Sequence, residues 1–198
     1  TSLTAELPVK GCLSLDGALV AWHIGNSSGA LRIIGAHTDS PNLRVRPNPD
    51  VVSAGWSQLG VEIYGGVLLN SWLDRDLGIA GRVIDADGEA HLFSVSSPLA
   101  RIPQLAIHLD REISERGLLL DRQQHMNPVW GLGTQSFQEW LRSVTGIEAV
   151  AFDAHLFDIT SAQLVGTQRD FLASARLDNQ VSCWAAVEAL VATAPSEH

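Results

Sequence analysis

The apolar run Leu31-Arg32-Ile33-Ile34-Gly35-Ala36 stops at His37-Thr38-Asp39 and is followed at once by Ser40 and Pro41. Proline has no N–H to give to a sheet ladder, so a strand here has to end at the His-x-Asp pair. The run predicts a buried strand over 31–36 whose carboxyl end delivers an imidazole and a carboxylate to the rim of a sheet. Open α/β sheets place their chemistry there. A metal-ligating histidine commonly has its second ring nitrogen fixed by a carboxylate or carbonyl, and Asp39 stands where it can do this for His37. The pair is equally readable as a strand-end histidine beside a chance neighbour, and two residues alone do not decide between the readings.

The rest of the composition narrows the function classes. With 198 residues and 45% hydrophobic content, the chain has enough apolar material for one ordinary domain or two small ones. Its formal net charge of -9, with Lys10 as the only lysine, argues against a nucleic-acid partner, because phosphate binding needs clustered cations. The two cysteines, Cys12 and Cys183, form no C-x-x-C and indicate neither a disulfide framework nor a cysteine-rich zinc module. No apolar stretch has the length of a membrane span and no signal-peptide pattern opens the chain, so the expectation is a cytoplasmic protein with no membrane partner. The chain opens on Thr1 rather than Met and stops soon after a helical pattern, which suggests a piece of something longer.

Along the chain, Ala18–Ile24 reads as a strand, and with Gly25–Gly29 as a turn it is expected to pair with 31–36 in a hairpin. Asn26-Ser27-Ser28 reads as turn chemistry, and His23 as a core or edge histidine. The Pro-, Asn- and Arg-rich passage from Pro41 to Gly55 reads as a linker at a domain boundary. Val61–Leu69 looks like a strand that bends at its glycines. Ile79–Ile84 and His91–Val95 bracket Asp85-Ala86-Asp87-Gly88 as a hairpin. Ile102–Gly117, which contains His108, suits a short helix or a packed loop. Thr134–Val144 predicts an amphipathic helix capped at Thr134, with Phe137, Trp140, Leu141 and Val144 on its core face and Gly146 ending it. Ala149–Thr160 returns to a strand pattern. Ala175–Gln180 opens a final helix in which Asp178 is readable simply as an N-cap. Gly131–Gly133 fits no phosphate-binding loop, and nucleotide binding is set aside.

His37-x-Asp39 after a strand and Asp178 at a helix start, with room between them for an inserted domain, make half of a two-metal hydrolase site. At this point the chain resembles the M18 metallo-aminopeptidases, the aspartyl aminopeptidase family. The passages that carry the resemblance are GAHTDSPNLRVR (35–46), GVEIYGG (60–66), WLDRDLGIAGRV (72–83), RIPQLAIHL (101–109) and RLDNQVSCWAAVEAL (176–190), in the family's order.

The resemblance implies an exopeptidase that removes N-terminal residues, Asp or Glu foremost, from peptides. Two Zn2+ ions per complete site, replaceable by Co2+ or Mn2+, would activate a shared water. It implies that His37 binds one metal, that Asp178 bridges both, and that Asp39 supports the histidine. It also implies that His108 reaches a neighbouring subunit's active site. The implied fold is an α/β zinc-peptidase sheet with helices, interrupted by an inserted, mainly β dimerisation domain. Residues 1–39 would begin the catalytic domain, 40–174 would form the insertion, and 175–198 would resume the catalytic domain. Dimers would build a dodecamer. The family's adjacent Glu-Glu pair and its remaining Asp and His ligands would lie beyond residue 198, so this chain alone is expected to be inactive. A different dinuclear zinc hydrolase such as a deacylase, or a non-catalytic dimerisation module, are the alternatives.

Overall fold

A computed structural model of the protein describes residues 8–25 and 31–193. The chain forms two compact units, Thr1–Ser40 together with Arg176–His198, and Pro41–Ala175.

In the first unit, β1 (Lys10–Leu15) and β2 (Ala18–His23) form an antiparallel hairpin in which Leu15 pairs with Ala18. Asp16 and Gly17, both at positive φ (47° and 102°), make the two-residue turn whose twist suits such a hairpin. The partner of β2 is thus β1 and not 31–36. Residues 31–40 adopt no strand, and Leu31, Ile33 and Ile34 are 89%, 86% and 72% exposed, which corrects the expectation of a buried strand. The run has strand composition, but a strand exists only through a neighbour, and none pairs with it among the described residues. The turn expected at Asn26–Ser28 lies outside those residues. The unit's other element is the helix α3 (Leu177–Ala192), apolar in composition yet without a buried side chain.

The second unit is built on a closed antiparallel barrel. Its strands are β3 (Asn42–Ser53), β4 (Trp56–Tyr64), β5 (Asp76–Ile84), β6 (Ala90–Arg101), β7 (Val129–Gly131) and β8 (Ala151–Asp158), in the order β3-β4-β7-β6-β5-β8. The passage read as a linker, Pro41–Gly55, is therefore mostly the first barrel strand. Pro47 and Pro49 interrupt its ladder without ending it: the β3–β4 register shifts between Val45 and Asp50, where two residues lack an N–H to donate. The hairpin expected around Asp85–Gly88 is present as β5–β6, with Ile84 opposite Ala90. Closure between β5 and β8 depends on Gly81, where any side chain would run into the Asp153 carbonyl.

Leu43, Leu59, Leu77, Ile79, Val83 and Leu156 fill the barrel interior, all fully buried. The helix α2 (Phe137–Thr145) packs against this core through Phe137 and Leu141. Its N-cap is Ser136 rather than Thr134: the Ser136 hydroxyl accepts from the Glu139 N–H while Glu139 returns a bond to the Ser136 N–H, and Gly146 ends the helix in the left-handed region. Asp50 of β3 accepts a further hydrogen bond from the Phe137 N–H at 2.8 Å, fastening the helix to the barrel. Phe137 is the centre of an aromatic cluster with Phe152, Trp140 and Trp130 at ring-centroid distances of 5.1, 5.5 and 6.1 Å. Val144, expected on the same core face, is 43% exposed, and the buried residues of the helix are Phe137 and Leu141 alone.

Between β6 and β7 the chain makes one short helix, α1 (Ile113–Arg116), so the short helix expected within Ile102–Gly117 is present at its end, while residues 103–109 before it form exposed turn and coil. A short 3-10 turn, Leu69–Trp72, precedes β5. The strands β9 (Gln163–Val165) and β10 (Phe171–Ala173) form a separate small hairpin. The α/β expectation thus holds only in part, since the regular secondary structure of the described residues is mostly strand, centred on the six-stranded barrel. No described helix is long and apolar enough to cross a membrane.

Phe137→Ala should destabilise the barrel unit by about 3–5 kcal/mol, the cost of a cavity at a buried aromatic. Val144→Ala on the same helix should stay within about 0.5 kcal/mol. Urea unfolding followed by near-ultraviolet circular dichroism of the aromatic cluster measures both.

Candidate metal site

Residues 37–39 belong to no helix or strand ladder and are exposed, so their peptide carbonyls are open to donors from side chains. Each finds a side chain. Cys183 Sγ donates to the His37 carbonyl at 3.1 Å and Gln180 Nε2 to the Thr38 carbonyl at 2.6 Å. The Asp39 carbonyl accepts from His37 Nδ1 at 2.9 Å, and the Thr38 hydroxyl donates to the Gly17 carbonyl at 2.7 Å, tying the segment to the β1–β2 turn.

The entry into α3 is irregular. Arg176 is left-handed (φ 63°), Asp178 is extended (φ -85°, ψ 110°), the Asp178–Asn179 peptide is cis, and no side chain caps the helix start. Asp178 therefore does not serve as the N-cap that its position suggested. Its Oδ1 lies instead 3.3 Å from His37 Nε2, while the Asp39 carboxylate sits 3.3 Å from His37 Nδ1. The structure thus brings His37, Asp39 and Asp178 together within one unit. His108 lies in the second unit, on an exposed turn between Ile107 and Leu109.

A carbonyl can only accept, so the Nδ1 that faces it carries the proton, and in the neutral ring Nε2 keeps its lone pair toward Asp178. The hydrogen bond to the Asp39 carbonyl, aided by the Asp39 and Asp178 carboxylates against partial desolvation, holds the His37 pKa above its ordinary value. Negative charge that favours a proton at Nε2 favours a metal cation there equally well. Two donors on a tetrahedral zinc, each bonded at about 2.0–2.1 Å, stand about 3.3–3.4 Å apart. The observed 3.3 Å matches that span, so His37 and Asp178 fit two adjacent corners of one coordination sphere. Two corners are not a complete site: among the described residues no group of three or more His, Cys, Asp or Glu side chains is arranged to hold a metal ion.

Comparison with known proteins decides the family. Residues 14–198 match the family described as aminopeptidase I zinc metalloprotease (M18). The chain belongs to the M18 family. It is 46% identical over 191 residues to a probable M18 family aminopeptidase 2 of Streptomyces avermitilis, covering 91% of this chain and 44% of that protein. To the protein of the same description from Mycobacterium leprae it is 43% identical over 195 residues, covering 91% of this chain and 45% of the relative. The crystal structure of an M18 aminopeptidase from Thermotoga maritima superposes with a TM-score of 0.69 at 25% identity, over 82% of this chain and 40% of that one. The M18 chain described here therefore spans less than half the length of the curated relatives it matches.

The contacts that sequence reasoning missed are those of Gln180 and Cys183. Nothing in a Gln or a Cys within an apolar helix marks it as a donor to a backbone carbonyl more than 140 residues earlier. The short bond to Nδ1 is likewise to the Asp39 carbonyl rather than to its carboxylate. Asp39→Asn should then preserve the Nδ1–H tautomer of His37 and lower its pKa only partway toward the ordinary value, because the carbonyl bond remains. Long-range proton–nitrogen NMR of the metal-free protein checks both, and loss of the tautomer would transfer the role to the carboxylate. Since the raised pKa keeps Nε2 protonated to higher pH, metal uptake at His37 should weaken as pH falls through that raised value.

Proposed function

We propose that the complete protein is a zinc-dependent aminopeptidase that removes N-terminal, chiefly acidic, residues from peptides, with His37 and Asp178 contributing ligands to a two-metal centre. The observation that carries this reading is the 3.3 Å approach of His37 Nε2 to Asp178 Oδ1 with the other ring nitrogen already committed to Asp39. Membership of a family described as zinc metalloproteases supports the choice of metal. When bound, zinc supplies Lewis acidity at the scissile carbonyl and makes water a nucleophile near neutral pH. His37 provides a neutral nitrogen donor of fixed tautomer. Asp178, whose side chain is 93% exposed, has a second oxygen free to serve a neighbouring ion. Asp39 orients the ring. None of these three can also carry the proton to the leaving amine once so engaged, and the resemblance to the M18 family gives that task to a glutamate of the complete protein.

His108 belongs to the same proposal as a residue presented across a subunit interface. Its support is its setting: Leu105, Ile107 and Leu109 around it are 61%, 49% and 75% exposed, and apolar surface of this kind marks contact sites. Self-association as a dimer, and as a dodecamer in the complete protein, goes with this reading.

Exhaustive chelation should abolish hydrolysis of a peptide with N-terminal Asp, and Zn2+, Co2+ or Mn2+ should restore it. Activity that survives metal removal overturns the mechanism. Subunits carrying His108→Ala mixed with subunits carrying His37→Ala should regain activity on reassembly, since intact metal ligands on one then meet the histidine of the other. Verified mixed dimers that stay inactive return His108 to a structural role.

A further inference from the structure

Gln180 and Cys183 stand three residues apart, one turn along the same face of α3, and between them they hold two consecutive carbonyls, those of Thr38 and His37. The helix that presents Asp178 at its start thus also grips the backbone that presents His37. Neither residue offers an atom to the Nε2–Asp178 gap itself, so any effect on metal capture has to pass through the position of the His37–Thr38 peptide.

We propose that Gln180 and Cys183 are positioning residues for metal capture, a side-chain clamp on the His37 and Thr38 carbonyls that sets His37 Nε2 at metal-bridging distance from Asp178. This rests on the reading of His37 and Asp178 as metal ligands. The physical case is one of preorganisation. A peptide outside helix and ladder that nothing else held would sample many φ/ψ combinations, and a metal that had to order it first would bind more weakly by that entropy. Two carbonyl bonds from one rigid helix face remove the freedom before the metal arrives. The Gln180 amide, the stronger donor at 2.6 Å, carries the larger share, and the Cys183 thiol, a weak donor at 3.1 Å, the smaller.

The test measures zinc affinity of the complete protein by competition with a chromophoric chelator, alongside the melting temperature of each metal-free variant. Gln180→Met keeps the side-chain length and removes the donor at an exposed position, so folding should be untouched. It should weaken zinc binding by about 10- to 100-fold, the usual cost of losing a group that orients a ligand. Cys183→Ala should weaken it less, and Cys183→Ser should recover most of that loss because a hydroxyl donates to the same carbonyl. Unchanged affinity in folded Gln180→Met overturns the clamp, and equal losses in Cys183→Ser and Cys183→Ala overturn the thiol's part in it. If Cys183→Ala does not fold, Gln180→Met decides alone. His37→Ala separates the two levels of the argument. Wild-type affinity in that variant refutes the ligand reading itself, whereas its loss beside an intact Gln180→Met refutes only the clamp.

Discussion

The arrangement of the first unit depends on where three peptide carbonyls send their lone pairs. Residues 37–39 are exposed and pair with no strand among the described residues, and side-chain donors give their carbonyls fixed partners where water would otherwise serve. Cys183, Gln180 and the His37 ring itself take these three groups. That set of bonds is what places an imidazole against a carboxylate from the far end of the chain. The irregular entry into α3 completes the approach, because an extended Asp178 leaves the helix axis and turns its carboxylate toward His37.

Charge at this point works in a consistent direction. The Asp39 carbonyl fixes which ring nitrogen is protonated, and two carboxylates within 3.3 Å of the ring favour positive charge on it. A proton answers that field in the metal-free protein, and a metal at the proposed site would answer it too. Proton and metal would then compete for one lone pair, which is the usual linkage between pH and metal affinity.

The barrel unit solves a different problem. Its interior is filled by branched aliphatic side chains, and an aromatic cluster around Phe137 joins helix to strands, giving a scaffold that does not yield easily. From that scaffold the loop bearing His108 extends Leu105, Ile107 and Leu109 into solvent. Mobile or exposed functional segments on rigid supports are a common division of labour, and here it separates the residue proposed to act across an interface from the core that carries it.

Sequence alone determined what depends on residues close along the chain. The Asp85–Gly88 hairpin, the α2 periodicity with its Gly146 stop, and the His-x-Asp and Leu-Asp-Asn motifs are of this kind, because turn geometry, helix period and motif spacing act over a few positions. Tertiary structure decided what depends on the identity of a distant partner. Residues 31–36 have strand composition but pair with no strand among the described residues, while the proline-bearing Asn42–Ser53 is a strand because β4 and β8 flank it. The setting of Asp178 changed for the same reason: its local position suggests a cap, and only the arrival of His37 makes it half of the pair proposed to hold a metal. Composition states what a segment is able to pair with, but hydrogen-bond partners across more than a hundred residues are chosen by the folded chain as a whole.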